Sequence, residues 1–263
     1  MNTGEIKSTL LEALEKAGKV VKAAAGKEQQ ITKKGEFNLV TEIDKAAEKE
    51  ALKVILKRFP DHSILAEESP AVEGSSGRWI IDPIDGTSNF AHGFPVFSVS
   101  IAFEHKGQLE MGGVYDPTRN ELFFAARGKG AFLNGKRIHV SGAKCLLDSL
   151  ITTGFPYDRK KNPEDYLGML RAFLTKVQCI RRTGSAALDL CYVACGRFDG
   201  YYEIKLNPWD KAAGMILVEE AGGKITDFSG VPLTLAGIQN LATNGLIHEE
   251  MLKALEPFKN LGQ

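Results

Sequence analysis

The stretch from Val96 to Val140 limits the fold more than any other part of this chain, because strand signals run through it almost without a break. VFSVSIAFEHKG, QLEMGGVYDP and ELFFAARGKGAFLNGKRIHV are rich in β-branched and aromatic residues, and Gly, Asp-Pro and Asn-Gly fall at the breaks. The spacing predicts an antiparallel meander. The sequence on either side supplies helices to pack against it. The first sixty residues read as two amphipathic helices. The second starts near Thr41, sets Ile43, Ala47, Ala51, Ile55 and Phe59 on one face, and stops at Pro60-Asp61. Helical patterns return around residues 163 to 178 and from Ser185 to Cys195, followed by the short strand GYYEI. In LNPWDKAAGMILVEEAGGKI, Asn207 suits a cap and Pro208 the first helical position. Ala212, Ala213, Ile216 and Leu217 supply the apolar face, and Gly222-Gly223 ends it. Helices layered against sheets, in a single domain over residues 1–263, are expected, with halves of about 1–145 and 146–263 meeting near residues 140 to 150.

Composition narrows the function classes. With 263 residues, 43% of them hydrophobic, the chain can bury a substantial core. Thirty-three basic residues balance 33 acidic ones, so there is no global positive field and direct nucleic-acid binding is not expected. Cys145, Cys179, Cys191 and Cys195 show neither CxxC spacing nor disulfide-scaffold density and read as buried thiols in a reducing compartment. The amino terminus lacks the uninterrupted apolar core of a signal peptide, and no stretch approaches the ~20 apolar residues that span a bilayer. A cytoplasmic protein with no membrane association is the expectation.

Chemistry concentrates in Asp82-Pro83-Ile84-Asp85-Gly86-Thr87, where an apolar strand ends in two carboxylates across a proline-fixed turn. Carboxylates held that close repel unless a cation lies between them, and hard oxygen donors favour magnesium or calcium over zinc. Either aspartate alone is adequately explained as a turn or helix cap. That explanation weakens because Glu67-Glu68 closes a separate short strand and Asp210 opens a separate helix, so three acidic element ends can supply one cage. Gly86 and Thr87 begin TSNF, a short helix start able to meet a phosphate. Thr41 and Asp44 fit a capping box, and spacing alone assigns Asp44 to the cap.

Other signals are set aside. Gly130 to Arg137 nearly spells a nucleotide-binding P-loop, but Arg137 stands where Ser or Thr is required and the Asn-Gly pair indicates a hairpin. The five histidines are scattered without paired spacing, which gives no support to a zinc site. No GxSxG elbow occurs. Arg181-Arg182 reads as a solvated edge, with contact to an anion or a partner as the alternative.

Three segments together carry a family resemblance: Ala66-Glu67-Glu68-Ser69, then WIIDPIDGTSNF from Trp79 to Phe90, then PWDKAAGMILVEEAGG from Pro208 to Gly223. In this order and spacing the chain resembles the inositol monophosphatase family, and the likeness extends through GKGAFLNGKRIHVS and RRTGSAALDLCYVACGRFDGYYE. The resemblance implies an α+β fold, a layered αβαβα sandwich of the inositol monophosphatase and fructose-1,6-bisphosphatase type, usually homodimeric. It also implies magnesium-dependent, commonly lithium-sensitive hydrolysis of small phosphate monoesters, with two or three Mg²⁺ ions per site. By motif position, Glu67, Asp82, the Ile84 carbonyl, Asp85 and Asp210 would hold the metals, and Gly86 and Thr87 would contact phosphate. Thr87 paired with Asp44 would activate the attacking water, with Glu67 beside them. Gly184, Ser185, Ala186 and Glu203 would contact the substrate, as would Asp85 and Asp210. A family lysine would fall on Lys33, in a weakly patterned stretch, and Lys33 is left outside this set. The absence of long insertions and the presence of Glu203 favour a small phosphorylated polyol or sugar such as inositol 1-phosphate. Fructose 1,6-bisphosphate and a nucleotide 3′-phosphate are the alternatives. A different class of role also stands, because some bacterial proteins similar to this family act in transcription complexes through protein partners.

Overall fold

The computed structural model describes residues 2–27, 31–33 and 39–261. Helix α1 (Thr3–Ala24) begins where the Asn2 side chain accepts the Glu5 N–H, and its Ile6, Leu10, Leu14 and Val21 stripe is buried. A short antiparallel pair, β1 (Ile31–Lys33) and β2 (Leu39–Thr41), intervenes before α2 (Glu42–Arg58), a hairpin that the helical pattern of the first sixty residues does not reveal. Strand β3 (Ser63–Ala66) runs parallel to β4 (Arg78–Asp85), which leads into the short helix α3 (Thr87–Ala91).

The expected meander follows as β5 (Ser98–His105), β6 (Gln108–Asp116), β7 (Glu121–Ala126), β8 (Gly130–Leu133) and β9 (Lys136–Ile138). These strands complete a seven-stranded sheet in the order β3 to β9. Asn134 and Gly135 both take positive φ between β8 and β9, so the near-P-loop segment is a tight hairpin.

Beyond β9 the chain builds a second sheet from β10 (Leu150–Thr153), α4 (Pro163–Leu174), β11 (Cys179–Arg181), α5 (Ala186–Ala194), β12 (Gly200–Ile204), α6 (Pro208–Glu220), β13 (Lys224–Thr226), β14 (Gln239–Thr243) and α7 (His248–Leu255). Its five strands lie in the order β11-β10-β12-β14-β13, with β10 parallel to both neighbours. Helix α4 stops at Leu174, short of residue 178, because the Lys176 and Val177 N–H groups both turn back onto the Phe173 carbonyl.

Three apolar clusters set the layers. One joins α1 and α2 to an outer face of the seven-stranded sheet, and one fills the space between the sheets around α5 and α6. The third packs α4 and α7 on the far side of the five-stranded sheet. The result is the αβαβα sandwich. Helix α5 is buried along its whole length and α6 along most of it, as central-layer helices must be. Close approach makes this possible at Gly112 of β6, where an added Cβ would lie 2.7 Å from Ile216 Cγ2 and 2.8 Å from Ala213 Cα.

The reading of all four cysteines as buried is corrected. Cys191 is buried and Cys145 and Cys195 are half-buried, but Cys179 is exposed, because β11 is an edge strand. No described helix is long and apolar enough to cross a membrane.

Candidate active site

Strand β4 builds the first part of the site. Pro83 has no N–H to give the ladder, and the β4–β5 register shifts between Asp82 and Asp85. The bulge lets both carboxylates approach Asp210, which the first turn of α6 supplies from the central layer. Ligand oxygens of Asp82, Asp85 and Asp210 all lie within 4.8 Å of one another. Local bonds orient each acid. The Ile84 N–H donates to Asp82 Oδ1 at 3.0 Å, and the Asn207 N–H donates to Asp210 Oδ2 at 2.7 Å. The Ala187 N–H donates to Asp85 Oδ2 at 2.8 Å, and the Ser185 hydroxyl donates to the same oxygen. Asp85 is thereby tied to the N-terminus of α5.

Hydrogen bonds and the nearby Arg182 offset the charge of this cluster only in part. Burial, then Glu67, Asp85 and Asp210, hold the Asp82 carboxyl well above the ordinary range. Burial, then Asp85, do the same for Asp210. Asp85 is pushed up to about 6 by burial, against the lowering pull of the Ser185 and Ala187 hydrogen bonds. None of the three forms an ion pair with a described lysine or arginine. Two buried carboxylates and the half-buried Asp210 in this state are the donor set that a hard divalent cation neutralises, so the residues present fit a metal.

Asp44 does two jobs that the sequence presents as alternatives. Its Oδ2 accepts the Thr41 N–H at 2.8 Å and the Thr41 hydroxyl at 2.6 Å, closing the capping box. Its Oδ1 lies 3.2 Å from the Thr87 hydroxyl, whose other acceptor is the Ile84 carbonyl at 2.9 Å. Burial raises the Asp44 carboxyl, and the Thr41 bonds oppose the rise. Gly86 turns the chain between Asp85 and Thr87 at φ +95°, where a Cβ would meet the Val96 carbonyl oxygen at 2.9 Å.

A cavity of about 350 Å³ opens onto this cluster. Asp85, Gly86 and Asp210 line it, as do Gly184, Ser185, Ala186 and Glu203 of the second half. Asp82, Ile84, Thr87 and Asp44 adjoin it through the bonds and short distances above. Glu67 is half-buried just beyond β3 and stands outside the carboxylate trio, acting on Asp82 and Asp210 through its charge. The Lys33 side chain lies outside the described residues. Glu203 is pushed up to about 7 by burial, and it accepts the Tyr201 hydroxyl at 2.6 Å.

Several residues at the site carry little or no signal in the sequence. Glu48 is buried one helical turn beyond Asp44, and it accepts the Glu68 N–H at 2.8 Å and the Ser69 hydroxyl, holding the turn that carries Glu67. Its i, i+4 spacing from Asp44, among the apolar positions of α2, is the one signal that could have found it. Gly154, Asn89 and Asp189 have no such local signal. Arg182 is exposed like its neighbour Arg181, yet it lines the cavity and sits over the Phe155 ring.

Fold and site together define a class: a two-sheet layered protein with a carboxylate cluster able to hold metal beside a polar cavity. The chain belongs to the inositol monophosphatase family, whose model matches residues 3–259. It is 45% identical over 253 residues, 94% of each chain, to the Nus factor SuhB of Pasteurella multocida. It is 47% identical over 251 residues to an inositol-1-monophosphatase of Synechocystis, covering 93% of this chain and 86% of that protein. The solved structure of the extragenic suppressor protein suhB from Bartonella henselae matches with a TM-score of 0.92 at 40% identity, over 98% of this chain and 99% of that one.

Proposed function

We propose that the protein is a magnesium-dependent phosphomonoesterase acting on a small phosphorylated polyol, with inositol 1-phosphate as the leading substrate. The observation that carries this reading is the trio of carboxylates held within 4.8 Å, with no ion-pair partner among the described residues, at the edge of a polar cavity. Asp82, Asp85, Asp210, Glu67 and the Ile84 carbonyl would hold two or three Mg²⁺ ions. Bound there, the cations supply charge neutralisation for the phosphate and acidify water.

The chain's own residues do the rest. Gly86 and Thr87 receive the phosphate, with Glu67 facing the same cluster. Thr87 Oγ orients the attacking water, and Asp44 Oδ1 accepts the Thr87 proton, so the water proton passes along that pair as the oxygen closes on phosphorus. The P–O bond to the alcohol breaks, its electron pair leaves with the alcohol oxygen, and a water of the open cavity gives that oxygen its proton. No side-chain nucleophile and no phosphoenzyme are needed. Gly184, Ser185 and Ala186 face the alcohol, and Glu203 accepts hydrogen bonds from its hydroxyls. The site binds a free small molecule, and the working unit is a homodimer in the cytoplasm.

Phosphate release from inositol 1-phosphate, fructose 1,6-bisphosphate and a nucleotide 3′-phosphate, with and without Mg²⁺, tests this. Turnover that requires Mg²⁺ and is lost in folded Asp210→Asn supports the reading, and the ranking of rates selects the substrate. Absence of turnover by folded wild-type protein overturns it. The likeness to a protein named Nus factor favours a second reading, a protein-binding role with Arg182 as contact. Partner capture retained by Asp210→Asn and lost on changing Arg182 would identify that role.

A further inference from the structure

The two walls of the cavity come from different layers. Gly86 and Thr87 follow β4 of the seven-stranded sheet, whereas Gly184 to Ala186 lead from β11 of the five-stranded sheet into α5. Besides the Asp85 carboxylate, the Asn89 amide bridges them. Asn89 Nδ2 donates to the Val96 carbonyl at 2.7 Å and to the Thr183 carbonyl at 2.9 Å. Of the two ends of the amide only the NH₂ can donate to carbonyls, and it has two hydrogens for the two acceptors, so this pairing fixes the orientation of the amide. The corner is also closely packed. A Cβ on Gly86 would lie 3.2 Å from the Gly184 carbonyl oxygen, and one on Gly184 would lie 2.9 Å from Asn89 Nδ2. The Thr183 hydroxyl donates to the buried Asp189 carboxylate at 2.7 Å, so the turn is gripped from both sides.

We propose that Asn89 is a positioning residue that sets the span between the Gly86–Thr87 corner and the 184–186 turn, and thereby the preference for esters whose alcohol reaches that turn. This rests on the phosphatase reading above. Asn89 itself contacts neither the carboxylate trio nor, on that reading, the substrate. A ligand gripped at both ends depends on the span, and an ester with a one-carbon alcohol is gripped at the phosphate alone.

The test compares wild-type protein with Asn89→Ala and Asn89→Asp, the second keeping the size but offering no N–H. Steady-state kinetics in Mg²⁺ are measured for inositol 1-phosphate and methyl phosphate, and amide hydrogen exchange is followed across residues 182–187 and 82–85. The kcat/KM ratio of the two substrates is expected to fall about tenfold in both variants, the worth of one such hydrogen bond. Methyl phosphate turnover should stay within about twofold, as expected for a site left untouched. Exchange should accelerate at 182–187 and not at 82–85. Equal losses for both substrates, or an unchanged ratio, overturn the proposal. If wild-type protein hydrolyses neither ester, it is the phosphatase reading that fails. The exchange data then decide on the clamp, and unchanged protection at 182–187 overturns it.

Discussion

Replacing Gly154 by alanine tests the proposed role of Glu203. Gly154 follows β10, and its backbone lies outside the left-handed region, so alanine introduces no backbone strain. The added Cβ would lie 2.0 Å from Glu203 Oε2 and 2.2 Å from its Cδ, against an ordinary contact near 3.4 Å. The carboxylate must retreat by about an ångström or more, since carbon and oxygen cannot overlap to that extent. That shift breaks the 2.6 Å bond from the Tyr201 hydroxyl and, on the proposed reading, moves the acceptor away from where the substrate hydroxyls would lie. A hydrogen bond to a charged group is worth ~1.5–3 kcal/mol, so KM for inositol 1-phosphate should rise about 10- to 150-fold. The loss should be greater at pH 8 than at pH 6, because Glu203, pushed up to about 7, is mostly protonated at the lower pH and mostly ionised at the higher. Tyr201→Phe removes the bond without the clash and should lose less. Steady-state kinetics beside a circular-dichroism melt are the assay. A folded Gly154→Ala protein with wild-type KM for the polyol phosphate would refute the assignment of Glu203.

Two further outcomes are expected. Asp85 has a folded-state pKa of about 6, above its ordinary 3.8, so between these values the folded state binds more protons than the unfolded chain. Stability of the metal-free protein should therefore fall as pH rises from about 4 to 6, by on the order of 3 kcal/mol from this group. Urea denaturation in EDTA checks the slope, and the same slope in saturating Mg²⁺ would contradict the metal assignment. Gly112→Ala should destabilise by about 1–3 kcal/mol, because its Cβ meets Ile216 and Ala213 of α6 and pushes the helix carrying Asp210 off the sheet. An unchanged melting temperature would show that the central layer yields more easily than this packing indicates.

Much of the architecture is legible in the sequence because it rests on local chemistry. The meander, the Asn134–Gly135 hairpin, the Thr41 cap of α2 and the Asn207–Pro208 start of α6 each depend on residues within a few positions of one another. The short β1–β2 pair is not legible because three-residue strands carry too little periodicity, and the exposure of Cys179 is not because edge position is a property of the sheet. Asp85 and Asp210 stand out as acidic element ends from the residues immediately around them, whereas Asp82, which the Pro83 signal also sets at a strand end, lies inside β4 because the ladder resumes past the bulge.

The sequence by itself determined where carboxylates end strands and open helices, since turn, cap and proline chemistry act over a single turn of chain. Only the tertiary structure decided which of them meet. Stacking two sheets about α5 and α6 brings Asp210 to Asp82 and Asp85, leaves Glu67 outside that trio, and sets Asn89 against Thr183 across 94 residues. The same packing resolved Asp44, whose two oxygens serve the cap and Thr87 together. Convergence of this kind depends on how layers pack, and no spacing within one segment encodes it.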